Sequence, residues 1–397
     1  MTKNLLYTLT TYPPSIGGAQ IHQHHLARQL KGRHSIQVLS LWESNRTDWL
    51  LGTTVLAPST NINYTVDGID VHCTGFSWLE KLVMAPFVFA YYPMMQVALP
   101  AIASCVERHL LTYAQKADLV HNARIGREGL SYASCKVARR YNIPFVLTPL
   151  HHPRWVGWRY KAYNKLYTMA DAVMALTHAE KEVLIHLGVT EERIHVIGHG
   201  PVLESSAKPN QFLQKYSIDQ PMVLFLGQHY SHKGYKELLE AGKIVWEKIP
   251  DTHFVFIGPA VGRSEAVFKA ISDKRIHRLG TLSLQEKTDA LAACSLLCVP
   301  SEQESFGGVY VEAWCFNKPV IGCRIPPVAE VITDEVDGCL VAQEPKEIAE
   351  KIIFLLENEE TSNQMGAAGK KKVEERYTWQ RIANRVETVY ERLIGSL

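Results

Sequence analysis

Residues 301–314, SEQESFGGVYVEAW, follow the apolar run LLCVPS, residues 296–301. An apolar run of this length, bounded by Pro and polar residues, reads as a buried strand. The pair Gly307 and Gly308 then opens a helix running through residues 309–316. Strand, glycine loop, helix is the unit of a parallel α/β sheet. It puts bare backbone amides at the ligand-facing end of a strand, an arrangement suited to a diphosphate. Glu304 stands just before the helix and Glu312 on it, with seven residues between them. A carboxylate accepts hydrogen bonds in pairs, so each suits a vicinal diol. The plainer alternative is a loop and a helix carrying ordinary surface acids.

Outward from this stretch the same alternation fills the chain. NLLYTLTTY, SIQVLSLW, ADLVHNA, PFVLTPL, DAVMALT and RIHVIGHG read as strands of a first doubly wound domain, residues 1–205. The polar stretch at residues 203–221 reads as an interdomain linker with a short helix. MVLFLGQ, THFVFIGP, RIHRLG, LLCVPS and PVIGCR restart the pattern as a second doubly wound domain, residues 206–375. In the last segment, residues 376–397, Ile382, Val386, Val389 and Leu393 recur at helical spacing. That helix either packs on the second domain or crosses back to the first. The fold class is therefore α/β, two Rossmann-like domains facing a cleft, with ligand at the carboxyl ends of the strands.

The 397 residues carry a net charge of +2 with 46% hydrophobic residues, which fits two ordinary globular cores without a global bias toward nucleic acid. None of the eight cysteines has C-x-x-C spacing, so buried free thiols in a reducing cytoplasm are expected, and neither zinc nor a disulfide framework. The N-terminus is too polar after Leu9 for a signal peptide. Residues 82–103 carry no charge and are long enough to span a bilayer, but Pro86, Pro93 and Pro100 each remove a helix donor. A buried or surface-docked helical region is the expectation there.

Three further loops follow strands. In YPPSIGGAQ, Gly17 and Gly18 precede a helix and offer either an anion site or a plain turn. The fingerprint G-x-G-x-x-G is absent, which counts against an NAD-dependent oxidoreductase. In LFLGQHYSHKGY, residues 224–235, Lys233 stands at a helix start, where the dipole disfavours a cation, and so reads as a point charge for a phosphate. In LTPLHHPRW, His151 and His152 follow a strand, and Arg154 to Tyr167 interleave bases with aromatics. That patch suits packing or a membrane surface, and nucleic acid less well. No D-x-D pair occurs, so a carboxylate clamp for a divalent cation is missing, and charge on a leaving diphosphate falls to lysine, amides and a helix dipole.

Together these motifs resemble the retaining glycosyltransferases of the GT-B fold, family 4 (group 1). The resemblance covers the whole layout and is most specific over residues 224–341. It implies transfer of a sugar from a UDP- or GDP-linked donor to a glycan, lipid-linked or cell-envelope acceptor, without metal or other cofactor, in the cytoplasm or at the inner face of the membrane. It also implies roles: Glu304 on the donor sugar, Glu312 on the ribose, Lys233 on the diphosphate. Phe306, Gly307 and Gly308 would offer amides to sugar and phosphates. A histidine, His151 or His152, would touch the transferred sugar. Many members have arginine where this chain has Gln228, whose amide donates a hydrogen bond without charge. A GT-B sugar-nucleotide epimerase and a non-catalytic membrane-surface protein are the alternatives; the glutamate pair favours the transferase.

Overall fold

The computed structural model describes residues 2–15, 17–41, 49–123, 129–151, 155, 157–219 and 221–395. The chain forms two compact units, one of residues 1–198 and 379–397, the other of residues 199–378.

The first unit is built on β1 (Asn4–Leu9), β2 (Ser35–Ser40), β3 (Ile62–Val66), β4 (Ile69–Cys73), β5 (Leu119–Ala123), β6 (Phe145–Thr148), β7 (Ala172–Ala175) and β8 (Ile194–Val196), in the order β3-β4-β2-β1-β5-β6-β7-β8. β5, β6 and β7 are buried at every residue, as parallel strands covered on both faces must be. The covering helices include α1 (Gly18–Leu30), α2 (Trp78–Phe89), α3 (Met95–Ala114), α4 (Leu130–Arg140), α5 (Lys161–Met169) and α6 (His178–His186). β3 and β4 form an antiparallel hairpin at the sheet edge that the strand reading above lacks. Its signal is the Asp67-Gly68 turn, where φ is 49° and 72°, both positive as a type I′ hairpin requires.

The uncharged segment at residues 82–103 is two helices, α2 and the start of α3. No helix among the described residues is long and apolar enough to cross a membrane. Pro86 and Pro100 both lie inside these helices. One missing donor in each is offset by packing of Met84 and Val88, and of Leu99 and Ile102, into the core.

The second unit carries β9 (Met222–Leu226), β10 (His253–Ile257), β11 (Ile276–Gly280), β12 (Leu296–Val299), β13 (Val320–Cys323) and β14 (Gly338–Val341), all parallel, in the order β11-β10-β9-β12-β13-β14. Its helices include α7 (Pro209–Tyr216), α8 (Tyr235–Trp246), α9 (Ser264–Lys269), α10 (Leu284–Ala293), α11 (Gly308–Trp314), α12 (Pro326–Val331), α13 (Pro345–Glu357) and α14 (Glu359–Lys372). Strand order reverses between β9 and β12. In a doubly wound sheet the ligand crevice opens at that switch point, beyond the carboxyl ends of the strands.

The unit boundary falls at Gly198–His199 rather than near residue 205. The segment that follows is polar, yet it is not a free linker. Val202 N–H donates to Glu312 (3.2 Å), Glu204 N–H to Thr288 Oγ1 (3.0 Å) and Lys208 N–H to Asp289 Oδ1 (2.6 Å), which fastens it to α10 and α11.

The last helix, α15 (Trp379–Gly395), returns to the first unit. Ile382, Val386 and Val389 are buried there, and Leu393 partly so. Tyr390 Oη meets Tyr7 Oη at 3.0 Å and also bonds His121 Nδ1; His121 Nε2 meets Thr148 Oγ1 at 2.8 Å. Burial pushes the His121 imidazole down to about 3. A folded pKa below the ordinary histidine value gives stability that is complete above pH ~6.5 and is lost as pH falls from there toward 3. About 2 kcal/mol is expected to go between pH 6.5 and 5. His121→Asn, followed by thermal melts across that range, is expected to flatten this loss; an unchanged slope refutes the assignment.

Candidate active site

The site is assembled where strand order reverses in the second unit, from the loop after β9 and the loop after β12. After β9 the chain runs through Gly227 and Gln228 into a 3-10 turn, Ser231–Lys233, and then α8. Gly234 caps that helix at φ +77°, and a side chain there would sit 2.4 Å from the Pro300 carbonyl. Only glycine lets the two loops approach this closely. The His232 carbonyl then joins them, accepting from Glu302 N–H (2.9 Å), Gln343 Nε2 (3.0 Å) and Ser301 Oγ (3.3 Å). Gln343 Nε2 also bonds the Pro300 carbonyl at 2.7 Å. With the backbones fixed, Lys233 Nζ pairs with Glu304 Oε1, both side chains mostly buried. The sequence assigns these two residues separate duties; the structure makes them partners across the switch point.

Beyond Glu304, Phe306 is 3% exposed and turns its ring edge-on to Tyr377 at 5.2 Å. It anchors the loop as an apolar plug. Gly307 has φ +80°, and α11 begins at Gly308, whose α-carbon faces open space apart from His199. Tyr310, fully buried, donates to the Val299 carbonyl at 2.7 Å and so ties α11 to the end of β12.

Glu312 is 7% exposed, and its Oε1 accepts from Lys287 Nζ (2.8 Å) and from Val202 N–H. Burial pushes its carboxyl upward, and Lys287 pulls it partly back. Oε2 bears no such bond among the described residues. Lys287 on α10 was not singled out from the sequence. It lies 25 residues from its partner, and nothing in local spacing marks it. Gln228 is exposed, with no bond to its amide among the described residues.

In the first unit, Gly17 precedes α1 in extended backbone and Gly18 opens it, at the end of β1 beside the β1/β5 reversal. No acid occupies the first turn of α1. His151 follows β6, half-buried. Its N–H donates to Glu180 Oε1 (2.9 Å) and its Nδ1 meets Tyr167 Oη (3.1 Å). Glu180 also accepts from Leu176 N–H (2.7 Å), and burial pushes its carboxyl up to about 7 against the pull of these two amides. Glu180, which the sequence reading passed over, thus holds the turn at Leu150, where φ is +48°. His152 and Arg154 lie outside the described residues. Of the aromatic patch, Tyr163 and Tyr167 are core residues and Trp155 packs against the core, while Trp158 is 57% exposed.

Residues 17–200 match the glycosyl transferase 4-like domain, and residues 210–372 match the glycosyl transferases group 1. The chain belongs to the group 1 glycosyltransferases, family 4. Among relatives of this glycosyltransferase is an uncharacterized glycosyltransferase of Methanocaldococcus jannaschii, 32% identical over 44% of this chain and 49% of that one. Another is the N,N'-diacetylbacillosaminyl-diphospho-undecaprenol alpha-1,3-N-acetylgalactosaminyltransferase of Campylobacter jejuni, 26% identical over 59% of this chain and 64% of that one. The chain thus spans between about half and just under two thirds of the length of these curated relatives. The crystal structure of Anabaena HepE in complex with UDP and glucose superimposes over all of both chains with a TM-score of 0.74 at 19% identity, which shows that this glycosyltransferase has the GT-B fold.

Proposed function

We propose that this chain transfers a sugar from a UDP- or GDP-linked donor to a lipid-linked or other cell-envelope glycan acceptor, with retention of anomeric configuration and no metal. The observation that carries the reading is the Lys233–Glu304 pair at the switch point, with the Lys287–Glu312 pair behind it. A diphosphate entering the β9/β12 crevice takes the Lys233 ammonium and leaves Glu304 to accept from sugar hydroxyls. Glu312, held through Oε1, turns Oε2 to a ribose hydroxyl. As the anomeric C–O bond breaks, its electron pair departs on the diphosphate and Lys233 meets the growing charge. The acceptor oxygen attacks from the same face and passes its proton to the leaving phosphate oxygen, a route that needs no protein nucleophile. The missing D-x-D supports metal independence. The name of the Campylobacter relative, a transferase to a diphospho-undecaprenol-linked sugar, supports a lipid-linked diphosphate acceptor. The test is nucleotide release from a panel of UDP- and GDP-sugars with chelator present. Turnover of at least one donor is expected; binding of neither UDP nor GDP by calorimetry overturns the reading.

A further inference from the structure

The first unit exposes an apolar face that its own folding does not require. From Trp78 to Val97 every exposed residue is apolar or aromatic except Gln96. At 100° per residue, Trp78, Leu82, Pro86 and Phe89 lie along one side of α2, with Leu79 and Val83 beside them, opposite Met84 and Val88, which enter the core. The inner stripe secures the helix, so the outer stripe has no role in packing it. Phe89 is 87% exposed and Trp78 70%. Gln96 Nε2 donates to the Trp158 carbonyl at 3.2 Å, which sets the exposed Trp158 beside the same face. Nine of the seventeen large apolar side chains exposed among the described residues belong to this one region. Monomers rarely concentrate them so.

Its charge pattern names the occupant. Between Phe76 and Val106 the only acid is Glu80, which caps α2 and is bonded to Ser77 and His109. Residues 155–170 contain no acid, and Lys161 and Lys165, both exposed and one turn apart on α5, pair with no carboxylate among the described residues. A protein partner needs roughly one hydrogen bond per 100–200 Å² of interface, and this stripe offers almost no group to make one. A bilayer needs none. Its acyl boundary takes aliphatic and aromatic side chains, and anionic headgroups take lysine.

We propose that this face docks on the surface of an anionic lipid bilayer. The proposal rests on the lipid-linked acceptor reading for its purpose, but binding is measured without donor or acceptor, so either can fail alone. The full chain is sedimented with vesicles of phosphatidylcholine, and with vesicles of phosphatidylcholine mixed with phosphatidylglycerol. Binding to the mixed vesicles with a blue shift of tryptophan fluorescence is expected. Leu82→Glu with Phe89→Glu is expected to weaken it about tenfold or more. Lys161→Gln with Lys165→Gln should reduce its salt dependence. Circular dichroism melts control for folding, and the exposed positions predict unchanged melts. No binding by the wild type, or equal binding by the Leu82/Phe89 variant, overturns the proposal. So does a wild-type dimer by light scattering that this variant turns to monomers, since the face then covers a second copy.

Discussion

Lys233→Ala is expected to lower the rate of sugar transfer by about 10²- to 10³-fold, the loss typical of one preorganised charge-stabilising donor. The ammonium sits on a short turn whose carbonyls are clamped at His232, and it meets Glu304 in a mostly buried pair. Position 228 offers only an uncharged, exposed amide, so the departing diphosphate meets no cation there. Removing Lys233 also leaves Glu304 as an unpaired carboxylate facing a polyanion, and that repulsion adds to the loss. The pair can be dissected. Glu304→Gln alone should bind nucleotide diphosphate about as well as the wild type but transfer sugar poorly. The double variant should recover part of the nucleotide affinity that Lys233→Ala loses, a coupling of about 1 kcal/mol or more. Calorimetry with the nucleotide and single-turnover transfer read the two effects separately. Near wild-type transfer by Lys233→Ala removes the pair from the mechanism, and strict additivity of the two substitutions removes the coupling.

The parts of this site that were legible in the sequence are those written as local pattern. A fully apolar strand, a glycine pair and a helix start fix where Glu304, Gly307 and Glu312 lie relative to β12, because each signal acts over a few residues. What fixes Lys233 against Glu304 is not local. It is a backbone carbonyl, at His232, gathering donors from two distant loops, and a carbonyl has no residue type to read. Lys287 and Glu180 escaped for a related reason: each is an ordinary helical residue whose partner is supplied by topology, 25 and 29 residues away. The unit boundary was read near residue 205 because the polar, aperiodic stretch at residues 203–221 looks like a linker. Backbone amides at Val202, Glu204 and Lys208 instead bond side chains of α10 and α11, and a backbone amide leaves no mark in residue type. The β3–β4 hairpin could have been found, since Asp-Gly between alternating residues is a turn signal with a steric cause.

Gly307→Ala is expected to cost the second unit about 2–5 kcal/mol, whereas Gly308→Ala next to it should be nearly neutral. At Gly307 two penalties add. The backbone stands at φ +80°, which costs a residue with a β-carbon about 1–2 kcal/mol. The new β-carbon would also lie 2.3 Å from Cε2 of Tyr310, and overpacking of that kind costs typically 1–3 kcal/mol. The ring cannot yield cheaply, because it is fully buried and its hydroxyl is engaged with the Val299 carbonyl. Relief has to come from the loop itself, and moving that loop moves Glu304. At Gly308 no positive φ is imposed, and the nearest atom to a new β-carbon is on His199 at 3.6 Å, an ordinary contact. The two glycines of ESFGG therefore have different duties. The first lets the chain turn over Tyr310; the second leaves space in front of α11. A melt of each variant separates them: a drop of several degrees is expected for Gly307→Ala and almost none for Gly308→Ala. Equal melting temperatures would show that the turn is not strained by a side chain. If Gly308→Ala melts like the wild type and loses nucleotide affinity, the space it fills is ligand space rather than a requirement of the fold.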